Sequence, residues 1–193
     1  MSSTPLSVLV LYGSYRADRV GIRLADYLVA GFDRAGHRAA LIDAQAIGLP
    51  MLDKRYSDYA PGQAPEAMAD LAARLRAADA FVFVAGEYNH GVQPGLKNLI
   101  DHYLAEFARR PAAIASYSAG RLAGAASNAA WHVILSSMGM AVTPDTLMVG
   151  QIGQALDADA QPVGDGGAAL ERGFGRFAGE LAWWAEATRQ ARG

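Results

Sequence analysis

The sequence contains no cysteine, which excludes disulfides, thiol nucleophiles, Cys-ligated zinc and iron–sulfur clusters. It also lacks a dominant charge. Seventeen Lys and Arg against 19 Asp and Glu leave a formal net charge of −2, so nothing global draws the chain to nucleic acid or an anionic membrane. No apolar run reaches about 18 residues, and Met1-Ser2-Ser3-Thr4-Pro5 is too short and polar for a signal peptide. A soluble cytoplasmic protein is expected. The four histidines, His37, His90, His102 and His132, show no H-x-x-x-H spacing, which argues against a metal site. Internal repeats, linkers and low-complexity tracts are absent, and 193 residues suit one domain spanning the chain.

What is present begins at Val8-Leu9-Val10-Leu11-Tyr12-Gly13-Ser14-Tyr15-Arg16. A short apolar run, long enough for one buried strand, stops at glycine. A hydroxyl, Arg16 and Arg19 follow, and then a helical pattern through Val20, Leu24, Tyr27 and Leu28, closed by Gly36. A strand that delivers such residues to a helix start is suited to an anion, because first-turn N–H groups and the helix dipole favour one. This first loop carries neither G-x-G-x-x-G nor G-x-x-x-x-G-K-S/T, so neither a Rossmann dinucleotide site nor a nucleoside triphosphatase is indicated. Ser14, Arg16 and the N–H groups near Gly21 and Ile22 are the candidate monophosphate grip; the bland alternative is a turn with solvated arginines.

The alternation continues along the chain. Arg38 to Asp43 reads as a second strand, Ile47 to Pro65 as a long loop, and Glu66 to Ala78 as a helix. Ala80 to Ala85 is apolar on both faces, as a central parallel strand requires. Glu87 to Gly91 reads as a polar loop, and Pro94 opens a helix whose apolar spacing runs to Phe107. Ala112 to Tyr117 is a fourth strand, Ser118 to Gly124 a Gly-rich loop and Ala125 to Met138 a helix. Ala141 to Val149 is the last strand, marked by Pro144 as a sheet edge, and a final helix carries Leu170, Phe174, Phe177, Leu181 and Trp184. Five strands alternating with five helices predict an α/β doubly wound sheet, all parallel, of order 2-1-3-4-5. The ligand crevice of that topology lies beyond the carboxyl ends of strands one, three and four. The loops at Gly13–Arg19, Gly86–Gly91 and Ser118–Gly124 fall there.

Two loops invite other readings. His90 suggests general acid–base chemistry, against a plain surface turn for Glu87-Tyr88-Asn89-His90-Gly91. Ser116-Tyr117-Ser118-Ala119-Gly120 is close to G-x-S-x-G, which would make Ser118 an esterase nucleophile. The first glycine is missing, however, and no Asp-then-His follows the serine, since His132 is the last histidine.

Gly13-Ser14-Tyr15-Arg16, Gly86-Glu87-Tyr88-Asn89-His90 followed by Pro94-Gly95-Leu96-Lys97-Asn98, and Ser118-Ala119-Gly120-Arg121 together resemble the NAD(P)H-dependent FMN reductases, a flavodoxin-like group that includes quinone and chromate reductases. The resemblance implies a flavodoxin-like three-layer sandwich. It assigns Ser14, Arg16, Arg19, Gly21 and Ile22 to the FMN phosphate. Glu87, Tyr88, Asn89 and His90 fall to the ribityl chain and ring, and Ser118, Gly120 and Arg121 to the pyrimidine side. It further implies NADPH or NADH as hydride donor, a quinone, free flavin or similar small acceptor, and a homodimer or homotetramer. No catalytic side chain is assigned, because the flavin carries the chemistry. The alternatives are a non-enzymatic flavodoxin-type carrier and an FMN-binding redox sensor.

Overall fold

Alternate residues of the first strand face opposite ways, and both ways are apolar, so this strand must be covered on both sides. In the computed structural model, which describes residues 4–192, it is β1, Ser7–Tyr12. Val8, Val10 and Tyr12 join one core cluster while Leu9 and Leu11 join another, the period-two division expected of a strand. The segment Met1–Pro5 falls partly outside the described residues.

The chain continues as α1 (Ile22–Arg34), β2 (Arg38–Asp43), a short α2 (Ala44–Ile47), a 3-10 turn at Tyr56–Asp58, and α3 (Glu66–Ala77). Then come β3 (Ala80–Tyr88), β4 (Gly91–Val92), α4 (Pro94–Asp101), β5 (Pro111–Tyr117) and α5 (Ala125–Ser137). The last elements are β6 (Ala141–Val142), β7 (Leu147–Val149), α6 (Ile152–Ala155) and the long α7 (Gly164–Arg192). Gly36 follows α1 with φ +86°, the left-handed turn that glycine adopts without strain.

The sheet has the order β2-β1-β3-β5-β6, with β7 also beside β5 and β4 beside β3. The parallel order is the predicted one, but there are seven strands, not five. One extra strand arises where Ala141 to Val149 divides. β6 pairs with Pro111 and Ala112 and β7 with Ala115 to Tyr117, and Pro144 between them has no N–H to offer the ladder. The other extra strand is β4, which folds back antiparallel on β3. The helix after Pro94 ends at Asp101 and does not run on to Phe107. Tyr103 and Phe107 are nevertheless buried, so their apolar spacing reflects packing in turns.

One face of the sheet is covered by α1 and α7, through Leu24, Leu28, Phe32, Leu170, Phe177 and Leu181. The other is covered by α3, α4 and α5, through Leu71, Leu75, Leu96, Ile100, Trp131 and Leu135. Full burial of each such side chain stabilises by about 1.5–3 kcal/mol. Aromatic pairs fix the second face, with Phe81–Phe107 centroids 5.0 Å apart and Phe83–Trp131 5.7 Å apart. Among the described residues, no helix is long and apolar enough to cross a membrane.

Candidate functional site

Parallel strands end together, so whatever follows β1, β3 and β5 is gathered at one edge. There Ser14, Arg16, Arg19 and Gly21 from the first loop, Glu87 and Tyr88 from β3, and Ser118 after β5 surround a cavity of roughly 200 Å³. Seven of the predicted site residues are thus brought together. Ile22, Asn89, His90, Gly120 and Arg121 are outside its lining.

The first loop is built from tight turns. Val20 N–H donates to the Asp18 carbonyl at 2.8 Å and Ile22 N–H to that of Arg19 at 3.1 Å. Ile22 therefore spends its N–H on opening α1. Among the described residues, the N–H groups of Ala17, Arg19 and Gly21 have no protein acceptor, which leaves a nest of donors suited to an anion. Ser14 is buried; its hydroxyl pairs with the Tyr88 hydroxyl at 2.9 Å and receives the Arg16 N–H at 3.4 Å.

The two arginines have different tasks. The Arg19 guanidinium is 2.7 Å from the Asp43 carboxylate and so ties the loop to the end of β2. Among the described residues Arg16 pairs only with Asp18, at 3.2 Å, with 65% of its side chain exposed. The hydrogen bond from Arg16, together with its charge, holds the Asp18 carboxyl below the usual carboxylate range. An exposed pair of this kind is weak, so Arg16 is available to another anion.

The predicted loop Glu87 to Gly91 is an ordered hairpin. Tyr88 pairs with Gly91 and Glu87 with Val92, and Asn89 and His90 form the turn with φ of 49° and 59°. A two-residue turn with both φ positive matches the twist of its strands. Asn89 and His90 are exposed at its tip. The Glu87 carboxylate accepts N–H groups of Ala126 at 3.0 Å and Ser127 at 3.5 Å, capping α5 with a charge that suits its dipole. His90 lies 3.5 Å from the other Glu87 oxygen.

Ser118 donates to the Gly120 carbonyl at 2.9 Å, and among the described residues no histidine or carboxylate bonds its hydroxyl. The esterase arrangement is not formed. Gly120 accepts the Gln151 N–H at 2.8 Å, so this loop rests on the segment before α6, and Arg121 is exposed beyond it. No group of three or more His, Asp or Glu among the described residues could hold a metal ion.

Sequence reasoning passed over three contributors. Asp43 anchors Arg19, while Tyr117 lines the cavity and takes a hydrogen bond from Gln93 at 2.8 Å. Burial pushes the Tyr12 and Tyr117 phenols above their ordinary range. Tyr117 reads as the apolar end of the fourth strand, and Gln93 falls between the loop that ends at Gly91 and the helix that opens at Pro94. A second cavity of roughly 480 Å³ adjoins the first, with Arg16 and Tyr88 lining both. Its remaining wall is mainly apolar or aromatic, including Tyr15, Leu49, Met51 and Pro94, with Asn98 as a polar member.

Comparison with known proteins converges on one group. The family model described as NADPH-dependent FMN reductase matches residues 6–154. The NAD(P)H-dependent FMN reductase LOT6 of Saccharomyces cerevisiae is 30% identical over 125 residues, covering 58% of this chain and 65% of that relative's length. FerB of Paracoccus denitrificans, described as a flavoenzyme NAD(P)H:(acceptor) oxidoreductase, superposes with a TM-score of 0.75. Its identity is 23%, over 92% of this chain and 97% of that one. A flavodoxin from Pseudomonas aeruginosa gives 0.57 at 18% identity, over 92% and 99% of the two chains. The last two likenesses speak for the fold.

Proposed function

The chain belongs to the NADPH-dependent FMN reductase family, and from that premise we propose that it is a cytoplasmic enzyme that binds FMN at the crest of its sheet. It passes hydride from NADPH or NADH, by way of that flavin, to a quinone, free flavin or similar small acceptor. Bound FMN supplies a ring that takes up a hydride and hands the electrons on, and the protein supplies position and electrostatics.

The residues present fit the group. The N–H groups of Ala17, Arg19 and Gly21, unpaired among the described residues, the Ser14 hydroxyl and the Arg16 guanidinium make a donor set for a phosphate ester. The carboxylates beside it are already matched, Asp18 by Arg16 and Glu87 by the start of α5. In this reading Arg19 braces the loop through Asp43 and Ile22 opens the helix behind it. Glu87 and Tyr88 flank the polyol, Asn89 and His90 shape the hairpin that carries them, and Ser118, Gly120 and Arg121 border the far side. The adjoining apolar cavity offers room for a planar acceptor next to the first. Met51, 81% exposed, and Tyr15, 49% exposed, stand in its wall and give a second copy of the chain, in a homodimer or homotetramer, an apolar area to cover.

One observation carries the reading: unspent donors and a weakly held arginine converge where the strand order reverses between β1 and β3. Anaerobic titration of the FMN-loaded protein with NADH and with NADPH tests it. Bleaching of the flavin spectrum followed by recovery on adding a quinone is expected. A spectrum reduced only by a partner reductase would leave an electron carrier instead.

A further inference from the structure

Tyr117 ends β5, but its ring lies across the crest of the sheet. Its ladder neighbour on β3 is Gly86, where an added Cβ would stand 2.7 Å from the Tyr117 hydroxyl oxygen. On the other side, a Cβ added to Gly21, just before α1, would stand 2.0 Å from Cζ of the same ring. Neither glycine has positive φ, so backbone conformation does not require them. They make room. Two glycines, one before α1 and one in β3, clear a slot for one phenol.

The slot is also oriented. Gln93 is wholly buried, and its Nε2 donates to the Tyr117 oxygen at 2.8 Å. Among the described residues the Gln93 Oε1 has no partner, so this buried pair has hydrogen-bonding capacity left over. The phenol oxygen already receives a hydrogen bond, and its own proton has the neighbouring Tyr12 hydroxyl within reach, an acceptor that an oxygen of a bound ligand would replace. Burial keeps that proton in place across the working pH range. Tyr117 lines the cavity together with Ser14, Arg16 and Gly21, at its anion-binding end.

We propose that Tyr117 is a positioning residue for the flavin nucleotide: its phenol, seated between Gly21 and Gly86 and turned by Gln93, floors the cavity and donates a hydrogen bond to an oxygen of the polyol–phosphate tail. This rests on the reading of the cavity as an FMN site. A rigid, pre-set donor there orders the tail without a flexible side chain having to be immobilised.

Calorimetric titration with FMN and with lumiflavin, which has the ring but no tail, tests the assignment. In Tyr117→Phe, shown native by circular dichroism, FMN affinity is expected to fall about tenfold while lumiflavin affinity stays that of the wild type. Gly21→Ala is expected to weaken FMN binding on its own, by pushing the ring aside, but to add nothing further in a Tyr117→Ala background. Tyr117→Phe binding FMN as the wild type does would overturn the proposal. So would tighter binding by Tyr117→Ala, which would make the ring an obstruction. Failure of the wild type to bind either flavin would remove the FMN reading itself, a result distinct from both.

Discussion

Arg110 at the amino end of the parallel sheet and Arg16 at its carboxyl end have opposite character. At the amino end Arg110 donates to the carbonyls of Ala78 at 2.8 Å and Arg76 at 2.6 Å. Arg76 meets Glu106 at 2.7 Å, and Arg189 and Arg192 approach Asp79 at 3.7 and 3.6 Å. Asp79 also accepts the Ser7 N–H. At the carboxyl end, among the described residues, Arg16 pairs with exposed Asp18 alone, and the loop N–H groups of Ala17, Arg19 and Gly21 lack acceptors. Empty space does not separate the two ends, since the cavity beside Arg109 and Arg192 holds roughly 470 Å³ and the two at the crest roughly 200 and 480 Å³. Hydrogen-bond accounting does. Where arginines are satisfied by the protein they fasten it together; where donors are left over they await a ligand.

The largest expected effect tests the fastening end. Arg110→Ala should lower stability by about 3 kcal/mol, because its two short charge-assisted bonds to carbonyls are lost together with longer ones to Glu106 and Ala108, while FMN affinity of the folded protein is unchanged. Urea unfolding and flavin titration check the two halves, and loss of FMN affinity in a stably folded variant would break the contrast. Arg16→Ala should show the reverse pattern. FMN binding should weaken by about 1.5–3 kcal/mol, with stability within about 0.5 kcal/mol of the wild type.

A third effect depends on pH. Tyr12 and Tyr117 have phenol pKa values raised above 10.0 by burial, so the unfolded chain releases these protons first. Their contribution to stability is complete below pH 10 and is lost as pH rises beyond it, by at most about 1.4 kcal/mol per phenol per pH unit. Thermal midpoints should fall above pH 10, with tyrosinate absorbance appearing alongside unfolding. Ionisation of these phenols in a still-native protein would contradict their burial at the crest. The smallest effect is at Glu87. Glu87→Gln should cost about 0.5–1 kcal/mol by weakening the charge that caps α5, read as a shift in the urea midpoint.

Much of this architecture was legible because apolar periodicity and glycine punctuation are local signals. β2 lies at Arg38–Asp43 as predicted, and the strand order follows from alternation and crossover handedness. The hairpin was hidden because its turn uses Asn89 and His90 at positive φ without a glycine. The division of β6 from β7 was half visible, in Pro144. At the site, the loop with Ser14 and Arg16 could be read from its residue types, but the separation of Arg16 from Arg19 could not. It depends on Asp43, 24 residues away from Arg19 along the chain. Tyr117 was hidden for a similar reason. Its slot is defined by Gly21 in the first loop and Gly86 in β3, and only the folded sheet brings them together.

The central claim is that an anionic tail is held by the loop after β1, and paired titrations with FMN and riboflavin address it most directly. The two differ only in the phosphate. Binding of FMN at least about tenfold tighter than riboflavin, with the gap shrinking as salt is raised, is the expected result. Equal affinities at low salt would contradict it.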